Sequence, residues 1–179
     1  MEEKTISFTS EFKGRIFDLE RHQVRMPDGS ESIRDIIRHP GAVGVVAQHA
    51  NGKFVFVKQY RKAIEHITTE VVAGTLDPGE DPMECAKREL TEETGYTAID
   101  IEYLGRIHPS PGYIEEKIEL YFATVDEQGE TNPDEDENVE AFLLTAEEAV
   151  EMILNGQITD SKTVAAWLFY EKRIAARNA

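Results

Sequence analysis

Short runs rich in β-branched and aromatic residues alternate with glycine and proline breaks over the first forty positions. Arg15–Glu20 and Arg21–Met26 mix apolar and charged residues and predict two strands. Pro27-Asp28-Gly29 is a turn signal, and Ser32–Arg38 is the expected returning strand. Three short strands are marginal on their own, so this piece must pack against the main domain or a second copy of itself. His39-Pro40-Gly41 breaks the pattern and marks the expected boundary between an N-terminal β region, 1–39, and a main domain, 40–179.

Beyond that break, Ala42–Gln48 and Phe54–Tyr60 are β-rich runs joined by the hairpin signal Ala50-Asn51-Gly52. Thr68–Val72, Ile99–Leu104, Glu119–Thr124 and Ala141–Leu144 are further strand candidates. Three helices announce themselves by their starts. Asp81 suits an N-cap, Pro82 the first helical position and Glu84 the acid of a capping box, while Gly95 is a natural stop, giving Pro82–Thr94. Thr145 with Glu148 opens a second helix that ends near Gly156. Asp160 opens a third, whose Trp167 is expected in the core. His108–Gly112 reads as a rigid loop and Asp126–Glu140 as an acidic one. Strands, helix, strands and helices fit an α+β chain with a mixed sheet between helices, without fixing its topology.

At 179 residues the chain can bury about 70% of its unfolded surface and requires no disulfide. The single cysteine, Cys85, lies inside the first helix, reads as a small packed residue, and suits a reducing, cytoplasmic setting. The opening MEEKTISFTS lacks the apolar stretch of a signal peptide, and no run is long enough to cross a bilayer. A net charge of −16 argues against nucleic acid as a partner. It is also awkward for a phosphate ligand, unless bound divalent cations invert the local field. The five histidines show no metal-ligand spacing.

The first helix carries the chemistry. Glu89, Glu92 and Glu93 stand at i, i+3 and i+4, so their carboxylates share one face within roughly 100° of arc. A turn from Gly74 to Gly79 precedes them, and its backbone can approach a ligand closely. Gly74, Glu80, Arg88-Glu89-Leu90, Glu92-Glu93 and Gly95, at their spacing, resemble the complete Nudix box. The last box position, usually aliphatic, is Tyr96 here.

This resemblance implies an α/β/α sandwich with a mixed sheet, plus a small N-terminal antiparallel sheet. It implies magnesium, with manganese as the alternative, held by Glu89, Glu92, Glu93 and the Ala73 carbonyl, with Glu93 also catalytic. Glu80 and Arg88 would form a scaffold ion pair. The base would come from the acidic loop, Glu135 with Glu137 as its competitor, and Glu115 or Glu116 as third choices. Pro111 follows Gly95 at the spacing of the ADP-ribose pyrophosphatase subgroup, and Gln59-Tyr60-Arg61 with Glu70 matches it too. Val72 replaces that subgroup's usual proline. By matched position Arg34, Arg61, Glu70 and Pro111 would serve substrate binding, and the N-terminal sheet would form a homodimer. The implied activity is hydrolysis of ADP-ribose, or of another nucleoside diphosphate sugar, to AMP and ribose 5-phosphate. The rivals are a preference for GDP- or UDP-sugars and a non-catalytic ADP-ribose sensor.

Overall fold

Alternating side chains on three central strands build two cores on opposite faces of one sheet. The computed structural model describes residues 1–132 and 138–177. They fall into two units, Met1–Gly41 with His108–Lys117, and Ala42–Ile107 with Ile118–Ala179.

In the larger unit, β4 (Ala42–His49) sends Val43, Val45 and Ala47 to one face and Ala42 and Val46 to the other. β5 (Phe54–Arg61) divides Val55 and Val57 from Phe54 and Phe56 in the same way. β9 (Ile118–Gln128) divides Tyr121, Ala123 and Val125 from Ile118, Leu120 and Phe122. Where these strands are covered on both faces they are apolar at nearly every position, Glu119 of β9 excepted, and so show no polar alternation. α1 (Pro82–Thr94) covers the first face with Cys85, Ala86 and Leu90. α2 (Ala146–Leu154) and α3 (Ser161–Arg173) cover the second with Ala149, Ala166, Trp167 and Tyr170. The result is the α/β/α sandwich that the box implied.

The remaining strands are β6 (His66–Glu70), β7 (Val72–Thr75), β8 (Tyr96–Ile107) and β10 (Val139–Leu144). The sheet order is β10-β5-β4-β9-β8, with β6 beside β5 and β7 beside β4. β4 and β9 run parallel and the other pairs antiparallel, so the sheet is mixed.

The smaller unit holds a three-stranded antiparallel sheet of β1 (Lys4–Lys13), β2 (Asp18–Arg25) and β3 (Glu31–Arg38). Here the sequence reading needs correction. Arg15–Glu20 and Arg21–Met26 are not two strands: β2 joins the second half of the first to most of the second, and the missing strand is β1. β1 is exposed along its whole length, and bulges between Thr5 and Ser7 and between Ser10 and Phe12 break its alternation. Residues 108–117 join this unit through β3: the Ile37 amide donates to the Tyr113 carbonyl at 2.8 Å and the Glu115 amide to the Ile37 carbonyl at 3.1 Å.

Other boundaries move for local reasons. Thr68–Val72 divides at Val71 into β6 and β7. β8 reaches well beyond Ile99–Leu104, and three register shifts along it hide its period. At the start of α1, Asp81 accepts from the amides of Met83 at 2.9 Å and Glu84 at 3.3 Å. The Glu84 carboxylate pairs with Lys87 at 2.7 Å instead of completing a capping box. The capping box at Thr145 and Glu148 is present in full.

Candidate active site

The box is assembled by pinning a strand end against a helix. β7 lies antiparallel to β4, with Ala73 opposite Gly44 and Gly74 opposite Val43. The other side of this strand end meets α1. The Ala73 amide donates to Glu93 Oε2 at 3.3 Å. The amide and carbonyl of one strand residue face the same way, so the Ala73 carbonyl faces the helix as well. Gly74 permits the approach: a Cβ there would sit 1.9 Å from Glu89 Cδ. Below, Leu90, Ala86 and Cys85 anchor α1 in the core. At the far end Gly95 takes φ 74° and its amide caps Thr91, a left-handed stop that any side chain would strain.

Arg88 organises the carboxylates. Its Nε and Nη2 fork onto Glu80 at 2.9 and 3.0 Å. Its Nη1 donates to Glu89 Oε1 at 2.8 Å and to Glu92 Oε2 at 2.9 Å. The Arg88 hydrogen bonds hold Glu80 down to about 2, and the Asp77 amide at 3.0 Å adds to this. The scaffold pair expected from the box is therefore in place, and it ties the glycine turn to the helix. Burial, with Glu80 nearby, pushes the Cys85 thiol up to about 12, so this cysteine is no nucleophile.

The chemistry of this segment fits a hard divalent cation. Glu80, Glu89, Glu92 and Glu93 are gathered around Arg88 and Ala73, and Glu89 and Glu93 are only 8% and 3% exposed. Arg88 pairs with three of them, Glu80, Glu89 and Glu92. Carboxylates so enclosed are costly and call for positive charge close by. Carboxylate and carbonyl oxygens are the donors that magnesium-like ions take. Among the described residues no three His, Cys, Asp or Glu side chains already converge as a metal-binding group; Arg88 Nη1 stands between Glu89 and Glu92.

A second cluster adjoins the box. Arg61, at the end of β5, forks onto Glu70 with Nε at 2.7 Å and Nη2 at 2.6 Å. Glu70 is 2% exposed and also accepts from Thr68 at 2.5 Å and from Lys162. Burial alone would raise the Glu70 pKa, but Arg61, Lys162 and Thr68 together hold it at about 2. The same hydrogen bonds raise Arg61, and the Asp160 and Glu93 carboxylates lie near enough to add to that rise. Arg61 keeps 40% of its side chain exposed.

The other predicted site residues are distributed differently. Arg34 belongs to the smaller unit, where it donates to Glu3 at 2.7 Å, to Ser32 at 2.9 Å and to the Ile33 carbonyl at 2.9 Å. Pro111 is exposed in the turn that joins β3. Glu115 pairs with Arg38 at 2.5 Å and Glu116 with His39 at 3.7 Å. Glu135 and Glu137 lie outside the described residues. Sequence reasoning missed Thr68 and Lys162. Lys162 reaches Glu70 across 92 positions of chain, and no local pattern advertises such a contact.

Comparison with known proteins places this geometry. The NUDIX domain model matches residues 38–167. A protein named methanol dehydrogenase activator, from Bacillus methanolicus, is 42% identical over 179 residues, covering 99% of this chain and 97% of the relative. An ADP-ribose pyrophosphatase from Bacillus subtilis (strain 168) is 40% identical over 170 residues, covering 93% and 91%. A crystal structure of an ADP compounds hydrolase superposes with TM-score 0.85, covering 99% of this chain and 96% of that one. At 19% identity this likeness bears on the fold.

Proposed function

The chain belongs to the NUDIX family, and we propose that it hydrolyses the diphosphate bond of ADP-ribose to AMP and ribose 5-phosphate, with other nucleoside diphosphate sugars as secondary substrates. The observation that carries this reading is the closure of Gly74 onto Glu89 with Glu93 on the Ala73 amide. That closure brings two helix carboxylates against the strand end at Ala73 and Gly74. Likeness to an ADP-ribose pyrophosphatase over 93% of the chain supports the substrate.

Nudix pyrophosphatases use divalent metal ions. Glu89, Glu92, Glu93 and the Ala73 carbonyl would hold magnesium here, with manganese as the alternative. Bound there, the ion supplies Lewis acidity and neutralises charge on the diphosphate oxygens. Arg61 presents the Nη1 edge of its guanidinium to a phosphate oxygen, while Nε and Nη2 stay on Glu70. Glu70, buried beneath it, serves substrate binding by fixing that fork. Glu93 supports the reaction centre from the helix. Glu135 removes the proton from the attacking water, and Glu137 is the competing base. Arg34 and Pro111 are assigned to substrate by their matched positions. The protein works in the cytoplasm as a homodimer formed through region 1–39. Its acidity disfavours nucleic acid as a partner. Among the described residues no helix is long and apolar enough to cross a membrane.

The test is a substrate panel of ADP-ribose, GDP-mannose and UDP-glucose, each with magnesium and with a chelator. We expect the highest kcat/KM for ADP-ribose, equimolar AMP and ribose 5-phosphate, and no turnover without metal. A higher kcat/KM for a GDP- or UDP-sugar would transfer the assignment to that substrate. A second reading rests on the full-length likeness to the methanol dehydrogenase activator: the chain stimulates an alcohol dehydrogenase. Adding wild type and Glu93→Gln to a methanol dehydrogenase assay decides it, since stimulation must appear with at least the wild type.

A further inference from the structure

Lys162 is the second residue of α3 and only 12% of its side chain is exposed. An ammonium so enclosed must be paired. Its Nζ donates to Glu70 Oε2 and lies 3.1 Å from Asp160 Oδ2. Asp160 is fixed in turn, because it accepts from the Thr163 amide at 2.9 Å and from the Thr163 hydroxyl at 2.6 Å. Thr163 Oγ1 then accepts from the Val71 amide at 2.9 Å. The start of α3 is therefore bolted to the chain at Glu70 and Val71, just ahead of Ala73 and Gly74.

The charges have a direction. Asp160 answers Lys162, and Glu70 answers Arg61. Lys162 and Arg61 Nη2 meet on the same oxygen, Glu70 Oε2, while Thr68 and Arg61 Nε meet on Oε1. Both oxygens are thus pinned, and the carboxylate plane cannot rotate. The plane of the Arg61 fork follows from it. Arg61 Nη1 makes no hydrogen bond among the described residues, and it is the edge left to meet a ligand. We propose that Lys162 is a positioning residue for substrate: through Glu70 it sets the orientation of Arg61, and with it the capture of the diphosphate. This rests on the hydrolase reading above and assigns Lys162 no contact with substrate.

The experiment is a double-mutant cycle in the full-length protein, with ADP-ribose and magnesium. Lys162→Met keeps the aliphatic stem and removes the charge. It should raise KM about tenfold while changing kcat less than about threefold, the signature of lost binding. Lys162→Arg should recover most of that loss. In an Arg61→Ala background, Lys162→Met should add less than about twofold, because the group it positions is gone. Equilibrium binding of ADP-ribose by calorimetry, without metal, should give the same cycle in Kd. A lowered Tm with unchanged KM and Kd would overturn the proposal and leave Lys162 a structural clamp. An undiminished effect in the Arg61→Ala background would overturn it too. A wild type that binds but does not cleave ADP-ribose would sink the hydrolase reading alone, and the Kd cycle would still decide on Lys162. One that neither binds nor cleaves it would overturn both.

Discussion

The two faces of the central sheet are built from the same strands and put to opposite uses. Under α2 and α3 the core is aromatic: Phe54 meets Trp167 and Tyr170 edge-on with ring centroids 4.9 and 5.0 Å apart, and Phe122 stacks on Tyr170 at 5.3 Å. Under α1 the core is mostly valine and alanine, with Tyr96 and Tyr121 as its only buried aromatics among the described residues, and the helix comes close enough to β7 to bury Glu89 and Glu93 at the contact. Aromatic packing contributes stability with few polar debts. Buried carboxylates work against it and persist where something else uses them. One face holds the sheet together, and the other trades part of its packing for charge.

Breaking the charged face should give the largest effect. Glu93→Gln and Glu89→Gln are expected to lower kcat for ADP-ribose by about a thousandfold or more, with Tm unchanged or raised. Steady-state assays beside thermal melts check both halves. Breaking the aromatic face should do the reverse. Trp167→Ala should cost about 3–5 kcal/mol of stability by denaturant unfolding, yet leave kcat within about threefold below its melting point.

The remaining changes sharpen the contrast. Gly74→Ala puts a methyl where Glu89 Cδ stands, and the displaced carboxylate should lower kcat/KM about a hundredfold. A retained rate would mean that Glu89 can move without loss. Acid should act through Glu70. Its folded pKa of about 2 lies below the ordinary 4.5, so its stabilisation is present above 4.5 and is lost as pH falls toward 2. Between pH 7 and pH 3 this amounts to about 2 kcal/mol. Urea unfolding at both pH values should show that extra loss in wild type and its absence in Glu70→Gln. The smallest effect belongs to Trp167→Phe. Trp167 Nε1 is buried with no hydrogen-bond partner among the described residues. Removing that N–H should offset much of the lost ring volume, for a net change under about 1 kcal/mol.

What the sequence disclosed follows from the range of each signal. Caps are local, so Asp81, Thr145, Asp160 and Gly95 could be read directly, and each helix starts where its cap stands. The box is local as well, since Gly74 to Gly95 are brought together by one strand end and one helix. The edges of the sheets were less legible. β1 carries its apolar side chains outward, and the bulges in β8 shift its register, so neither strand keeps a period of two. The Glu70 cluster was half visible: Arg61 and Glu70 lie on neighbouring strands, though Glu70 stands opposite Val57 and Arg61 opposite His66, whereas Lys162 arrives from the other end of the chain. Contacts of that kind are set by tertiary packing and leave no pattern along the sequence.

If the carboxylate face of α1 holds a divalent ion, the isolated protein should bind one. Titration with manganese, followed by electron paramagnetic resonance of the free ion, tests it without any substrate. We expect saturable binding to wild type that weakens at least about tenfold in Glu89→Gln and in Glu93→Gln, with Trp167→Phe unchanged. Equal manganese affinity in wild type and both glutamine variants would contradict it.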